Sequence, residues 1–242
     1  MRKLGLIGGM SWVSTRRYYE HLNTIVQRRV SPRSSAPLLI ESLDFDGLYR
    51  IADEDGWKRA ADTLTASAKR LVGAGAEGLI VCANSMHRAF RELEEAVDVP
   101  IIHIADCVAA RMQADGVTNA ALIGTRNVMT EGFYRRRLIE RGITLLPPDM
   151  ETVETVDRII YEELMLGKAT KNAERTLKSI LTIKEKDGAD AIVLACTELE
   201  MIVDTDANVL PVYDSTRIHA EAAADWMLGD IGDVKFSEST AT

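Results

Sequence analysis

Two segments of the sequence carry a cysteine followed by small polar side chains. Residues 78–85 read GLIVCANS, and residues 191–198 read AIVLACTE. Each begins as a short apolar run of the kind that forms a buried strand. A thiol can transfer a proton through its thiolate form, and neighbouring hydroxyl and amide groups can hold developing negative charge. Each segment therefore looks like a strand that delivers chemically active groups to a site.

The sequence also contains an internal repeat. Residues 6–15 (LIGGMSWVST) resemble residues 122–131 (LIGTRNVMTE), and residues 75–85 (GAEGLIVCANS) resemble residues 188–198 (GADAIVLACTE). The offsets are 116 and 113 residues, and a third pair, VPIIHIAD and LPVYDS, follows in the same order. Collinear matches at nearly constant offset predict two similar lobes with facing strand ends and a ligand between them.

The offset decides which residue of the first segment corresponds to Cys196. Sliding by 113 residues places Cys196 opposite Ala83, whereas Cys82 falls opposite Ala195. Successive residues of a strand point to opposite faces, so if Cys196 faces the cleft, Cys82 is expected to face away from it. The first lobe then lacks the thiol of the second, and Ala83 occupies the vacated partner position.

Short apolar runs alternate with helix-length amphipathic segments along the chain. Trp57, Ala60, Leu64, Ala68 and Leu71, for example, recur at steps of three or four before a glycine-rich stop. Continuous apolar strands between amphipathic helices are typical of parallel sheets that are covered on both faces. The predicted fold class is therefore α/β, and 242 residues are enough for two lobes with a sizeable core.

Four motifs, taken with the repeat, carry a family resemblance. GGMSWVST, CANSMH, LIGT and ACTEL closely resemble the aspartate/glutamate racemase family of cofactor-independent enzymes, from about Lys3 to Leu228. The resemblance implies two α/β lobes related by a pseudo-twofold axis, with the active site in the cleft between them. It also implies that the final helix returns to the first lobe, so residues 1–112 plus 213–242 would form one lobe and residues 113–212 the other. A homodimer, an amino-acid substrate and no cofactor are expected on the same ground.

The resemblance also implies roles for individual residues. Inverting a Cα centre requires one group to remove the proton from one face and another to return it from the opposite face. Cys196 is the expected thiol acid/base, and Thr197 and Glu198 stand where a helix N-terminus would begin, which would lower the pKa of the thiol. The expected substrate-binding donors and their neighbours are Met10, Ser11, Asn84, Ser85, Thr125, Thr197 and Glu198.

Three charged or titratable residues are further candidates. Arg50 and Lys168 could grip a side-chain carboxylate, because some members that act on acidic amino acids use cations from comparable loops. His87 could support the thiol side of the site or be a satisfied helix histidine. An acidic amino acid is the favoured substrate, with a broader range as the alternative.

Several of these residues have structural alternatives. Cys82 and Cys107 are expected to be packing residues, and Cys196 itself could be a small buried hydrophobe. Asn84 and Ser85 could cap a helix, and Glu198 could be the acidic residue that a helix start favours.

Ala83 can neither accept nor donate a proton, which leaves several functions open. Ser85, a water molecule or a rearranged Cys82 could serve the second face of a racemase. A one-thiol enzyme, such as a decarboxylase of malonate-type acids, or an amino-acid-binding relative without catalysis are the alternatives. The alanine could also be an engineered substitution.

Composition excludes other classes of function. The formal net charge is −8 and the pI about 5.1, and the basic residues are scattered, so a nucleic-acid partner is not expected. No run of about twenty apolar residues is present, so no membrane span is expected. Three cysteines are too few for a disulfide framework, which indicates a cytoplasmic protein. The four histidines lack metal-ligand spacing, and no phosphate loop is found.

Overall fold

The computed structural model of the chain describes residues 1–204 and 208–229. Within these ranges seven strands form two parallel sheets, one with the order β2-β1-β3 and the other with the order β5-β4-β6-β7. The strands are β1 Leu4–Gly8, β2 Leu38–Ser42, β3 Gly78–Val81, β4 Asn119–Gly124, β5 Thr144–Leu145, β6 Ile192–Ala195 and β7 Val212–Asp214. The α/β class and the two-lobed arrangement predicted from the sequence are confirmed.

Nine α-helices of the described residues cover these sheets. Several start at a side chain that accepts a backbone N–H of the first turn, as Asp53 does from Gly56 and Asp214 does from Thr216. The helices are α1 Trp12–Arg29, α2 Glu54–Gly73, α3 Phe90–Ala96, α4 Ile104–Ala114, α5 Arg126–Thr130, α6 Gly132–Glu140, α7 Met150–Glu162, α8 Lys171–Lys186 and α9 Ser215–Leu228. In the described ranges no helix has both the length and the apolar character required to cross a membrane.

Helix α9 packs against α1 and α4 of the first lobe. The backbone N–H of Arg2 also donates to the carbonyl of Met227 at 2.8 Å, which ties the end of α9 to the start of β1. These contacts support the proposal that the chain returns to the first lobe. The exact boundaries remain a proposal, and residues 230–242 of the predicted segment lie outside the described residues.

The two sheets have equivalent strand registers. Leu6 pairs with Ile80 in the first sheet, and Leu122 pairs with Val193 in the second. Leu122 is the repeat partner of Leu6, and Val193 is the repeat partner of Ile80, with the offsets of 116 and 113 residues. The residues that follow β3 and β6 therefore occupy corresponding places in the two lobes.

Cys82 and Cys196 lie in different hydrophobic cores, because they stand on different faces of the strands. Cys82 and Ala195 lie in one core that both lobes share, together with residues of α1, α4 and α9. Ala83 packs with the outer face of the first sheet and Cys196 with the outer face of the second. Cys107 also lies in the shared core. Burial raises the pKa of Cys82 and of Cys107 well above the ordinary range, so both are neutral packing residues.

Three histidines are buried where α4, α9 and the turn after β3 meet. The rings of His87 and His103 lie 4.5 Å apart, and those of His87 and His219 lie 5.8 Å apart. His219 Nδ1 lies 2.8 Å from the hydroxyl of Tyr18, and its Nε2 lies 2.9 Å from the carbonyl of Ile102. A neutral ring that accepts from Tyr18 and donates to Ile102 satisfies both contacts.

Burial lowers the pKa of His219 to about 4 and that of His87 to about 3, and it also lowers the pKa of His103. An unfolded chain takes up these protons near pH 6.5, before the folded chain does. The stabilisation is therefore complete above pH 6.5 and is lost as the pH falls towards 4. For His219 alone the loss is roughly 3 kcal/mol.

We expect the unfolding free energy of the native chain to fall between about pH 7 and about pH 4.5, and to fall less steeply in His219→Gln. Denaturant unfolding at several pH values measures both slopes. His21→Gln is the matched control, because a hydrogen bond to Glu200 raises the pKa of the partly exposed His21, which gives the opposite pH dependence. An unchanged slope in His219→Gln would contradict the assignment.

Candidate active site

The ends of the two sheets meet at the carboxylate of Glu198. The thiol of Cys196 donates to its Oε2 at 3.2 Å, and the hydroxyl of Thr197 donates to the same oxygen at 2.6 Å. The hydroxyl of Ser11, from the loop after β1 in the first lobe, donates to Oε1 at 2.6 Å. Glu198 is only 2% exposed. One buried carboxylate therefore joins the candidate thiol to a residue of the opposite lobe.

The local structure around Cys196 raises the pKa of its thiol. Burial is the largest cause, and the neighbouring carboxylate of Glu198 adds to it. The expectation of a helix N-terminus that lowers the pKa was wrong, because only a single 3-10 turn, Leu199–Met201, follows. At neutral pH Cys196 is a protonated thiol whose hydrogen points at Glu198.

The corresponding loop of the first lobe is held by His87. Its Nδ1 lies 3.0 Å from the carbonyl oxygen of Ala83, and its Nε2 accepts the backbone N–H of Ile104 at 3.3 Å. Both ring nitrogens are thus used by backbone groups, with the proton on Nδ1. His87 is a neutral residue that positions the Ala83 loop against α4.

Two of the buried polar side chains that lack a hydrogen-bond partner within the described residues lie just after strands β3 and β4. They are the amide of Asn84, through both its nitrogen and its oxygen, and the hydroxyl of Thr125. Asn84 is 4% exposed and its side chain does not cap the turn that follows, so the capping alternative is wrong. Unpaired buried amide and hydroxyl groups are costly unless a ligand satisfies them, and both can donate to a carboxylate.

The remaining predicted loop residues lie close in sequence to these groups. Met10 is buried, and a cis peptide bond joins it to Ser11. Ser11 also accepts the backbone N–H of Ser14 at the start of α1. Ser85 is partly exposed and begins the 3-10 turn Ser85–Ala89.

A cleft of about 500 Å³ opens between the first lobe and helices α5 and α7. Arg50, one of the two predicted cations, lines it, whereas the exposed Lys168 is not among the lining residues. The lining residues are Arg50, Ile51, Ala52, Arg126, Asn127, Thr130, Glu131, Glu154, Asp157, Arg158, Tyr161 and Glu162.

Two cleft residues on α7 interact electrostatically with Cys196. Asp157 is one of the groups that raise the pKa of Cys196, and Cys196 is in turn one of those that raise the pKa of Tyr161. Cys196 itself is 5% exposed and does not line the cleft. In the described structure Sγ is therefore separated from the cleft.

Sequence reasoning missed Asp157 and Tyr161. Both lie on α7, four residues apart and therefore on one face, while Val156 and Ile160 are buried in the outer core of the second lobe. The sequence shows this amphipathic pattern, but it does not show which residues of the fold the polar face of α7 contacts.

Comparison with known proteins places this arrangement in a family. Residues 7–223 match the Asp/Glu/hydantoin racemase family. A protein from Yersinia pestis described as an Asp/Glu racemase is 39% identical, with a TM-score of 0.86 over 94% of this chain and 100% of that chain. An aspartate racemase homologue from Pyrococcus horikoshii is 32% identical, with a TM-score of 0.81 over the same shares. The broad specificity amino-acid racemase RacX of Bacillus subtilis is 23% identical over 181 residues, which are 74% of this chain and 76% of RacX. The chain belongs to the Asp/Glu/hydantoin racemase family.

Proposed function

We propose that this family member inverts the α-carbon of an amino acid, with Cys196 as the thiol acid/base. The network of Cys196, Glu198 and Ser11 carries the proposal, since it places a thiol proton and its acceptor where the two lobes meet. Asn84 and Thr125 supply the unpaired donors that a substrate carboxylate requires.

Glu198 gives the thiol a route to deprotonation. In the unliganded protein the thiol holds its proton, so Cys196 is ready to protonate a carbanion. To act as a base it must first pass that proton to Glu198 Oε2, which lies 3.2 Å from Sγ. The thiolate then removes the Cα proton, and the carbanion's charge is held by the donors at the strand ends.

Ala83 itself has no side-chain group that can carry a proton. Cys82 lies in the shared core with a raised pKa, so it does not serve this face without a rearrangement of β3. We infer that a water molecule returns the proton there. Exchange of the Cα hydrogen on the Cys196 face is then faster than inversion.

Acidic amino acids are the favoured substrates. Arg50 places a guanidinium in the cleft, and guanidinium groups bind carboxylates in a two-pronged geometry. The name of the Pyrococcus horikoshii relative refers to aspartate, and that of RacX to broad specificity, so a wider substrate range is the alternative. A homodimer and a cytoplasmic location stay predictions.

Ala83 favours one second candidate function. A one-thiol enzyme that only protonates a carbanion needs no partner group at this position, as in decarboxylation of a malonate-type acid. Carbon dioxide release from such acids, without hydrogen exchange on amino acids, would favour this candidate.

The proposed function is tested by proton NMR of L- and D-aspartate and glutamate in deuterium oxide, with chiral chromatography of the products. We expect loss of the Cα signal and slow appearance of the opposite enantiomer. Cys196→Ala should lower both rates by about 10²–10⁴-fold, because the acid/base group is removed. Exchange that survives in this variant would contradict the role of the thiol, and no exchange by the native chain would contradict the racemase.

Restoring a thiol at position 83 should accelerate inversion. We expect Ala83→Cys to raise the inversion rate by about 10²-fold relative to exchange, since a positioned group replaces water. Cys82→Ala is the matched control and should leave the ratio unchanged. A fall in inversion with Cys82→Ala would show that Cys82 serves the second face after all.

Removing the charge of Glu198 should lower the pKa of Cys196, because burial remains but the neighbouring carboxylate is lost. The pH profile of alkylation by iodoacetamide should move to lower pH in Glu198→Gln, while racemisation falls because the thiol has lost its proton acceptor. The Cys196→Ala variant gives the background from Cys82 and Cys107. An alkylation profile at unchanged pH would contradict this electrostatic role.

A further inference from the structure

Arg50 has an unusual backbone conformation at the mouth of the cleft. Its φ is +50°, and it is the one non-glycine residue with positive φ in the described ranges. Left-handed conformations are costly for residues with a side chain, and they persist where the surroundings hold them, often at ligand clamps. The contacts of Arg50 therefore identify what holds it in place.

The end of α7 holds this loop across the cleft. The hydroxyl of Tyr49 donates to the carbonyl oxygen of Tyr161 at 2.9 Å, and the two rings meet edge to face at 5.0 Å. The guanidinium of Arg50 lies 4.9 Å from the centre of the Tyr161 ring. Its Nη2 lies 3.4 Å from Oε1 of Glu162.

These contacts differ in how a substrate would affect them. The Tyr161 ring orients the guanidinium whatever the ligand, because a cation over an aromatic face leaves its edge N–H groups accessible. The pair with Glu162 is long, single-pronged and roughly half exposed on both sides, at 44% for Arg50 and 55% for Glu162. Such a pair is weak, so a better-aligned carboxylate can displace it.

We propose that Glu162 is a specificity-determining residue that competes with the side-chain carboxylate of an acidic substrate for Arg50. Its carboxylate is the same chemical group as the side chain of aspartate or glutamate. The Glu162 carboxylate pairs with the Arg50 guanidinium, and the carboxylate of a bound substrate replaces it. The inference rests on the proposed function, since it assigns Arg50 to the substrate of that same site.

The competition predicts a difference between charged and neutral ligands. Removing the charge of Glu162 frees Arg50, so aspartate should bind more tightly. Asparagine, which has the same shape without the charge, should gain little. An exposed ion pair corresponds to a change in affinity of about two- to five-fold.

Isothermal titration of L-aspartate and L-asparagine tests this in the Cys196→Ala background, where binding is measured without turnover. Glu162→Gln is compared with Glu154→Gln, which removes the same charge from the same cleft but is paired with Arg126 at 3.7 Å. We expect a two- to five-fold tighter aspartate complex in Glu162→Gln alone, with asparagine unchanged in both variants.

Equal tightening in both variants would mean a general effect of the cleft's charge and would overturn the proposal. Tightening of asparagine together with aspartate, unchanged affinity, or no aspartate binding in any variant would also overturn it. A failure of the proposed function looks different, since it appears as missing deuterium exchange by the native chain while the difference in binding persists.

Discussion

The rest of the site depends on the buried carboxylate of Glu198. A carboxylate away from water is costly unless its oxygens accept hydrogen bonds, and Glu198 meets this condition with three donors. One donor, Ser11, belongs to the opposite lobe and also caps α1. The same bonds that satisfy the charge therefore fix the lobes against each other and direct the thiol of Cys196.

The internal repeat gives the two lobes equivalent strands around this site, but the side chains at the equivalent strand ends differ. Equivalent registers in the two sheets place Ala83 and Cys196 at corresponding strand ends, while Cys82 and Ala195 fill the core that both lobes share. A thiol in that core is a neutral packing group, and a thiol one residue later touches the carboxylate that joins the lobes. Position along the strand therefore determines which cysteine contacts this carboxylate.

Sequence reasoning could predict what depends on local pattern and repetition. Apolar runs indicated the strands, and the two offsets related Leu6 to Leu122 and Ile80 to Val193, which the sheet registers reproduce. It could not predict the direction of the thiol's pKa shift, because that depends on burial and on a carboxylate held by a residue 187 positions away in sequence. The interaction of Asp157 and Tyr161 with Cys196 could not be predicted for the same reason, since the sequence of a polar helix face does not show which residues that face contacts in the fold.

The raised pKa of Cys196 follows from its burial beside a carboxylate. Burial and a neighbouring negative charge both favour the protonated thiol. In the proposed function, the ammonium group of an amino-acid substrate would add a positive charge near this thiol. A positive charge near Sγ offsets Glu198 and favours the thiolate, so the base would form mainly when there is a Cα proton to remove. A thiol that stays protonated between turnovers is also less reactive towards oxidants and electrophiles. In the proposed mechanism, the carboxylate that joins the lobes would thus also delay formation of the thiolate until substrate is bound.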